Sequence, residues 1–270
     1  MAGGERPLEH GWLPDTPVGD TVLRSFAHNQ GEVNAAVATA AGGRTQRTDA
    51  VLLADSGTPV PYYNQAVLVR PLVGPDDGVL DDVEAFFSGA RNPATLLSIW
   101  PTPDLAARGW ILVGHPAWVL RSPGPVPDAG SRPGVEISLV TTPEELAAAE
   151  RVAVEGYPIE QAQGRPVGSV LPPALLGSGV SVRLGRLDGE PVAVGLGHVG
   201  CGIQNLCLGA TLPAARRKGV WESLVWARVA DAPELPAVAY TSDFSRPGFV
   251  RMGFVPVLRF TLWLRPPAAA

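Results

Sequence analysis

The chain has 270 residues, 46% of them hydrophobic, and a formal net charge of −5. That is enough apolar material for one large core or two smaller ones, and the acidic balance argues against a broad nucleic-acid or anionic-membrane surface. Cys201 and Cys207 fit no metal spacing and read as free thiols. No apolar run approaches a membrane span and the N-terminus lacks an apolar leader core, so the expected setting is cytoplasmic.

Residues 1–20, rich in Gly, Pro and acidic residues, read as a loosely held start. Residues 21–41 suit a helix, with Val22, Phe26, Val33 and Val37 at helical spacing. Strands are predicted at 50–54 and around 66–69, a helix at 79–89, a strand at 94–100, a short helix at 103–108 and one long strand at 110–120. The run 122–134 carries four prolines and three glycines and reads as a linker, so the expected boundary separates 1–121 from 135–270. Beyond it a strand is expected at 135–140. A helix begins at Thr142, with Pro143 at N1 and Glu145 at N3, and runs to about Glu155. Residues 158–179 read as loop. Strands 180–187 and 192–199 joined by Asp188-Gly189 read as a hairpin, followed by one strand at 203–211. A strand at 237–242, a short helix at 247–252 and a closing strand at 255–264 complete the pattern.

The halves match at an offset of 144 positions (253 minus 109): Ser98 with Ser242, Pro103 with Pro247, Gly109 with Gly253, Leu120-Arg121 with Leu264-Arg265. Two copies of one fold explain this most simply. With a small gap, Gly78 matches Gly219, but Asp76 and Asp77 precede the first glycine while Arg216, Arg217 and Lys218 precede the second. Carboxylates at that place repel an anion.

The basic segment carries the densest chemistry. Pro213 ends the preceding strand, and Val220, Leu224, Val225 and Val229 mark a helix. Three cations and a glycine at a helix N-terminus favour an anionic ligand. They equally fit a solvated basic turn before an ordinary helix.

The run Arg216-Arg217-Lys218-Gly219-Val220-Trp221 resembles the acetyl-CoA-binding motif of the GNAT family of N-acetyltransferases, Arg/Gln-x-x-Gly-x-Gly/Ala after a strand and a proline. Trp221 departs from the small residue of that pattern. A second resemblance runs from Ser242 to Phe249 and Gly253-Phe254, where Phe249 stands in place of the usual tyrosine. The resemblance implies an α/β (α+β) fold of two GNAT-like domains, each a mixed, largely antiparallel sheet flanked by helices, with the N-terminal copy degenerate. It implies acetyl-CoA as acyl donor, held by Gly209, Ala210, Thr211, Arg216, Arg217, Lys218, Gly219, Val220, Trp221, Ser242 and Phe249. Pantetheine would pair with the backbone after a bulge, an N–H near Gly209 would polarise the thioester carbonyl, and a primary amine would attack directly.

Candidate proton-transfer residues are His198, Tyr157 and Glu155; each also fits an ordinary place in a strand or helix end. Gly195-Leu-Gly197-His-Val-Gly200 matches a dinucleotide fingerprint, but a strand rather than a helix is expected after it, so that reading is set aside. No metal set is visible. The first reading is thus an N-acetyltransferase acting on a small-molecule or terminal amine, as monomer or homodimer, with no nucleic-acid or membrane partner. Its rivals are a non-catalytic acyl-CoA-binding or regulatory protein and a structural module.

Overall fold

The computed structural model describes residues 21–127, 132–157 and 159–267. The predicted loose start at 1–20 and part of the predicted linker lie outside them.

Helix α1 (Val22–Ala40) opens on Thr21, whose hydroxyl accepts from the Arg24 N–H at 3.2 Å. Then come β1 (Arg44–Arg47), β2 (Val51–Asp55), β3 (Asn64–Leu68), α2 (Gly78–Phe86), β4 (Ala94–Ser98), β5 (Ile111–Gly114) and β6 (Ala117–Arg121). The second half supplies β7 (Val135–Leu139), α3 (Pro143–Gly156), β8 (Val180–Leu187), β9 (Glu190–Gly200), β10 (Ile203–Asn205), β11 (Gly209–Thr211), α4 (Val220–Val229), β12 (Ala237–Thr241), α5 (Arg246–Arg251), β13 (Val255–Arg259) and β14 (Thr261–Arg265). The capping box at α3 forms as its residues require: Thr142 accepts from the Glu145 N–H, and Glu145 accepts from the Thr141 N–H.

The strands make two mixed sheets, β1-β2-β3-β4-β14-β5 and β13-β6-β12-β10-β9-β8-β7, with β11 also paired to β9. Strand β1 carries no apolar residue and is exposed throughout, so no hydrophobic pattern announced it. More consequential is the fate of the two long strands expected at 110–120 and 255–264. Each breaks in two, and each half-strand enters a different sheet. β6, from the first half of the chain, lies between β12 and β13; β14, from the second, lies between β4 and β5. Sheet membership therefore crosses the boundary expected from sequence. Pro116 has no N–H for a ladder, which favours the break there.

The two crossings meet. The Phe260 N–H donates to the Pro116 carbonyl at 3.0 Å, and an Arg259 guanidinium N–H to the His115 carbonyl at 2.7 Å. Pro116 and Phe260 are themselves 144 positions apart, as are His115 and Arg259. The register carries the duplication further. In β5, Val113 is left out of the pairing with β14; in β13, Val257 is left out of the pairing with β6. One shift appears: Ala94 faces Arg265 and Ala237 faces Arg121, so β4 and β12 are 143 apart (237 minus 94) while β6 and β14 are 144 apart (265 minus 121). Ser98 thus corresponds to Thr241 rather than Ser242.

The core follows this interleaving. Phe26 of α1 stacks on Phe260 at 5.0 Å between centroids and meets Trp118 edge-on at 5.9 Å, joining elements of both halves. A buried polar chain does the same: Asn205 donates to Gln30, Gln30 to Asn34, Asn34 to Gln65 and Gln65 to Thr95, each within 2.9 to 3.1 Å. Such amides stay buried because each finds a partner. No described helix is long and apolar enough to cross a membrane.

Candidate functional site

The strand expected at 203–211 is interrupted. β10 runs parallel to β12, and the last bond joining them is from the Leu206 N–H to the Val238 carbonyl, 2.8 Å. Leu208 takes a positive φ of 23°, and the Leu196 N–H is shared between the Cys207 and Leu208 carbonyls, the mark of a bulge. Past it, β11 pairs only with β9 and diverges from β12. The Leu196 bond to Leu208 and the Leu212 bond to Val192 set the alternation, so Ala210 faces β9 and Gly209 and Thr211 turn their N–H and C=O groups into the gap. A wedge therefore opens between β11 and β12, and one wall is an unpaired strand edge.

Arg228 of α4 holds the bulge from below. It is 2% exposed, donates to the Leu196 carbonyl at 2.9 Å and the Cys207 carbonyl at 3.1 Å, and has no carboxylate in its bonds. Burial pushes its pKa down to about 10, still well above neutral, so it carries its charge into the core. A Cβ on Gly195 would stand 2.8 Å from its Cζ, and one on Gly197 3.8 Å from its Cδ. Of the apparent dinucleotide fingerprint, Gly195 makes room for this arginine, while a Cβ on Gly197 would press on the Ser181 hydroxyl at 3.1 Å.

At the mouth of the wedge lies the basic segment. Arg217 and Gly219 both have positive φ, 62° and 86°, so the backbone curls before α4. Gly219 is the N-cap and contributes no side-chain cap, which leaves the first N–H groups of α4 without that partner. Arg217 and Lys218 are exposed and make no ion pair among the described residues. Arg216 instead serves structure: it donates to the Thr211 carbonyl and the Gly156 carbonyl, both at 3.1 Å, tying α3 to β11. Val220 is buried beneath the loop. Sequence reading missed Arg132, which reaches over from the linker. It pairs with Glu222 at 2.6 Å and lies so close over Gly219 that any Cβ there would collide with it.

The corresponding place in the first half is filled. Asp77 caps α2, accepting from the Val79 N–H at 3.1 Å and the Val73 N–H at 2.9 Å, and Arg70 grips it with two bonds of 2.8 Å. Those bonds hold its carboxyl well below the usual carboxylate range, the arginine first. The chain's own anion occupies this helix N-terminus.

The two departures from the motif prove to be one unit. Trp221 and Phe249 meet edge-to-face at 5.0 Å. Phe249 is 6% exposed and also meets Phe254, so it offers a ligand little surface. The indole lies between β11 and α5: a Cβ on Gly209 would stand 3.8 Å from Trp221 Nε1, and one on Gly248 only 2.7 Å from its Cζ3. Ser242 is not part of this contact; it is exposed and caps the next turn by accepting from the Ser245 N–H.

The proton-transfer candidates separate. His198 points to α1: Nε2 lies 3.2 Å from a Glu32 carboxylate oxygen and Nδ1 3.0 Å from the Gly179 carbonyl. Neither nitrogen is left free for a ligand. Glu155 is exposed on α3. Tyr157, at the end of α3, is beside the wedge, because Gly156 packs against Ala210 and Thr211. Among the described residues no His, Cys, Asp and Glu cluster suits a metal.

No family model matches the chain, and no curated protein matches it. Solved structures do. It is similar to a GCN5-related N-acetyltransferase from Kribbella flavida, at 22% identity and a TM-score of 0.62 over 91% of this chain and 96% of that one. The chain has the fold of the GNAT acetyltransferases. A second likeness is to a protein given as a GNAT-family acetyltransferase from Novosphingobium aromaticivorans, at 15% identity and a TM-score of 0.56 over 88% of this chain and 99% of that one. A third is to a functionally unknown conserved protein from Staphylococcus epidermidis, at 12% identity and a TM-score of 0.60 over 82% and 93%. At these identities the likeness speaks for the fold, and the site must be argued from its own residues.

Proposed function

We propose that the chain is an acetyl-CoA-dependent N-acetyltransferase whose second half, from about residue 135, binds the donor, and whose first half is a copy that has lost that capacity. The carrying observation is the open edge of β11 beside an uncapped α4 N-terminus. A GNAT fold makes acyl transfer the natural use of such a wedge. The residues suit the donor: Gly209 offers its backbone groups and Thr211 its N–H to a pantetheine amide, and Arg217, Lys218 and the curled loop offer positive charge to a pyrophosphate. Asp77 at the equivalent place in the first half argues that no phosphate binds there.

In the transfer, the nitrogen of a neutral primary amine attacks the thioester carbonyl carbon and the carbon–sulfur bond breaks. The acetyl group ends on nitrogen as an amide; the amine gives up one proton and the thiolate takes one. The Gly209 N–H, directed into the wedge, is placed to stabilise charge on the carbonyl oxygen. Phe249 has no proton to give. On β12, the wedge's other wall, the Thr241 hydroxyl is spent on the Ala117 carbonyl, and Tyr240 carries the second hydroxyl; desolvation raises its pKa well above ordinary, so it stays protonated as a donor must. His198 acts as a tie between the halves. We place the reaction in the cytoplasm, on a small-molecule or chain-terminal amine, without nucleic acid or membrane.

Trp221 supports a second reading. An indole beside Gly209, where the thioester would lie, suits a protein that binds acyl-CoA without turning it over. Release of free CoA thiol on mixing the protein, acetyl-CoA and a panel of primary amines separates the two: the transferase shows amine-dependent release above the buffer rate, and a binder shows none at any amine concentration.

A further inference from the structure

Two nitrogens of α4 without partners converge on Gly209. Arg228 is 2% exposed; its Nε donates to the Leu224 carbonyl at 3.3 Å, and its Nη1 to the Leu196 and Cys207 carbonyls. Its other nitrogen, Nη2, donates to nothing among the described residues. The Trp221 indole N–H has no hydrogen-bond partner among them either. The two residues are seven positions (228 minus 221), or two turns, apart and share one face of α4. Trp221 Nε1 and Arg228 Nη2 each lie 3.8 Å from the point where a Cβ on Gly209 would stand. Gly209 is exposed and has no side chain, so that point is open; a larger residue would fill it.

The groups that face this point from α4 are donors, one N–H of the indole and two of the guanidinium. Arg228 also lacks a counter-ion. Asp231, the carboxylate within its field, is engaged by Arg183. Burial pushes the Cys207 thiol up to about 12, which keeps it uncharged beside the guanidinium. A buried cation with free N–H groups is costly, and an oxygen that carries negative charge relieves that cost.

Resting on the transfer reading above, we propose that Trp221 Nε1 and Arg228 Nη2 donate to the carbonyl oxygen of the donor's acyl group beside Gly209, and so are catalytic residues of the transfer. As the amine lone pair forms the new carbon–nitrogen bond, the carbonyl π pair moves onto that oxygen. It returns as the carbon–sulfur bond breaks, the amine loses one proton and the thiolate gains one. A fixed cation beside the oxygen acts most strongly while the charge is there. Trp221, which departs from the small residue of the motif, then serves as a hydrogen-bond donor and not as an obstacle. Arg228 has two parts: Nη1 holds the bulge, and Nη2 faces the ligand.

The test compares acetyl-CoA with S-ethyl-CoA, which has a methylene in place of the carbonyl, by calorimetry on the full chain and on Trp221→Phe. The unmodified protein should bind acetyl-CoA about tenfold more tightly than S-ethyl-CoA. In Trp221→Phe, which keeps an aromatic ring toward Phe249, the preference should fall to about threefold or less, with the affinity for S-ethyl-CoA unchanged. Infrared difference spectra with an isotope-labelled acetyl carbonyl should show its stretch moved to lower wavenumber on binding, and moved less in the variant. A role of the indole in packing alone would change neither the preference nor the stretch. Equal affinity of the unmodified protein for the two ligands, or an unchanged preference and stretch in a folded Trp221→Phe, overturns the proposal and leaves the transfer reading standing. If the variant does not fold, the preference and the stretch of the unmodified protein decide. Binding of neither ligand overturns the transfer reading itself.

Discussion

A chain that ends at Phe260 will not fold in either half. Removing β14 takes Leu262 and Trp263, 3% and 5% exposed, out of the first sheet, and burial of such side chains contributes about 1.5–3 kcal/mol each. It also leaves β4 and β5 with facing rows of unpaired backbone groups where β14 had bridged them. Against a usual stability of about 5–15 kcal/mol, that loss unfolds the first sheet. The second sheet follows because β6, which it needs between β12 and β13, is joined to β5 through only His115 and Pro116. The expected result is loss of cooperative thermal unfolding and of near-ultraviolet circular dichroism from tryptophans of both halves, Trp118 and Trp226 included. A truncated chain retaining one sharp transition would mean that the halves fold independently despite the exchanged strands. For the same reason the intact chain should melt in one transition.

Arg228→Met should cost about 2–4 kcal/mol and abolish donor binding. The Leu196 and Cys207 carbonyls lose a charged donor, and bonds of that kind are worth about 1.5–3 kcal/mol, offset in part because a costly buried charge is removed. The functional loss follows from geometry: the Cys207 carbonyl belongs to the bulge that parts β11 from β12, and without the bulge there is no wedge. Gly195 provides the control. Gly195→Ala puts a Cβ 2.8 Å from Arg228 Cζ and should destabilise the unmodified protein strongly, yet be tolerated beside Arg228→Met. Denaturant unfolding of the four proteins measures the coupling. Additive effects would show that Gly195 does not make room for the arginine.

Much of this fold is legible in the sequence because the local rules agree with the tertiary result. Thr142-Pro143-Glu144-Glu145 is a helix start on any surface, and Asp188-Gly189, with φ of 53° and 85°, is a hairpin turn wherever it occurs. The duplication is legible too, down to Leu120-Arg121 and Leu264-Arg265. What the sequence does not show is where a continuous apolar run changes sheet. Residues 110–120 and 255–264 have the composition of long strands; Pro116 marks a place where the first can break, but nothing local marks Phe260 or says that either run changes sheet, which is settled by the gaps the two sheets leave. The basic loop is readable because three cations before a glycine are a local signal. The role of Arg216 is not, since its partners, Gly156 and Thr211, are apart in the chain. Arg132 and Arg228 carry no motif and become visible only once distant segments are packed together. Phe249 and Trp221 read separately as two departures; contact shows that they pack as a pair.

The central claim is that the wedge and its loop bind a CoA thioester. Calorimetric titration of the full chain with acetyl-CoA, repeated on Arg217→Glu, tests it most directly. Arg217 is exposed and makes no ion pair among the described residues, so the substitution should leave the melting temperature unchanged. The account predicts binding by the unmodified protein, weakened at least tenfold by the reversed charge at low salt and less so at high salt. No heat from the unmodified protein, or equal affinity in a folded Arg217→Glu, would contradict it.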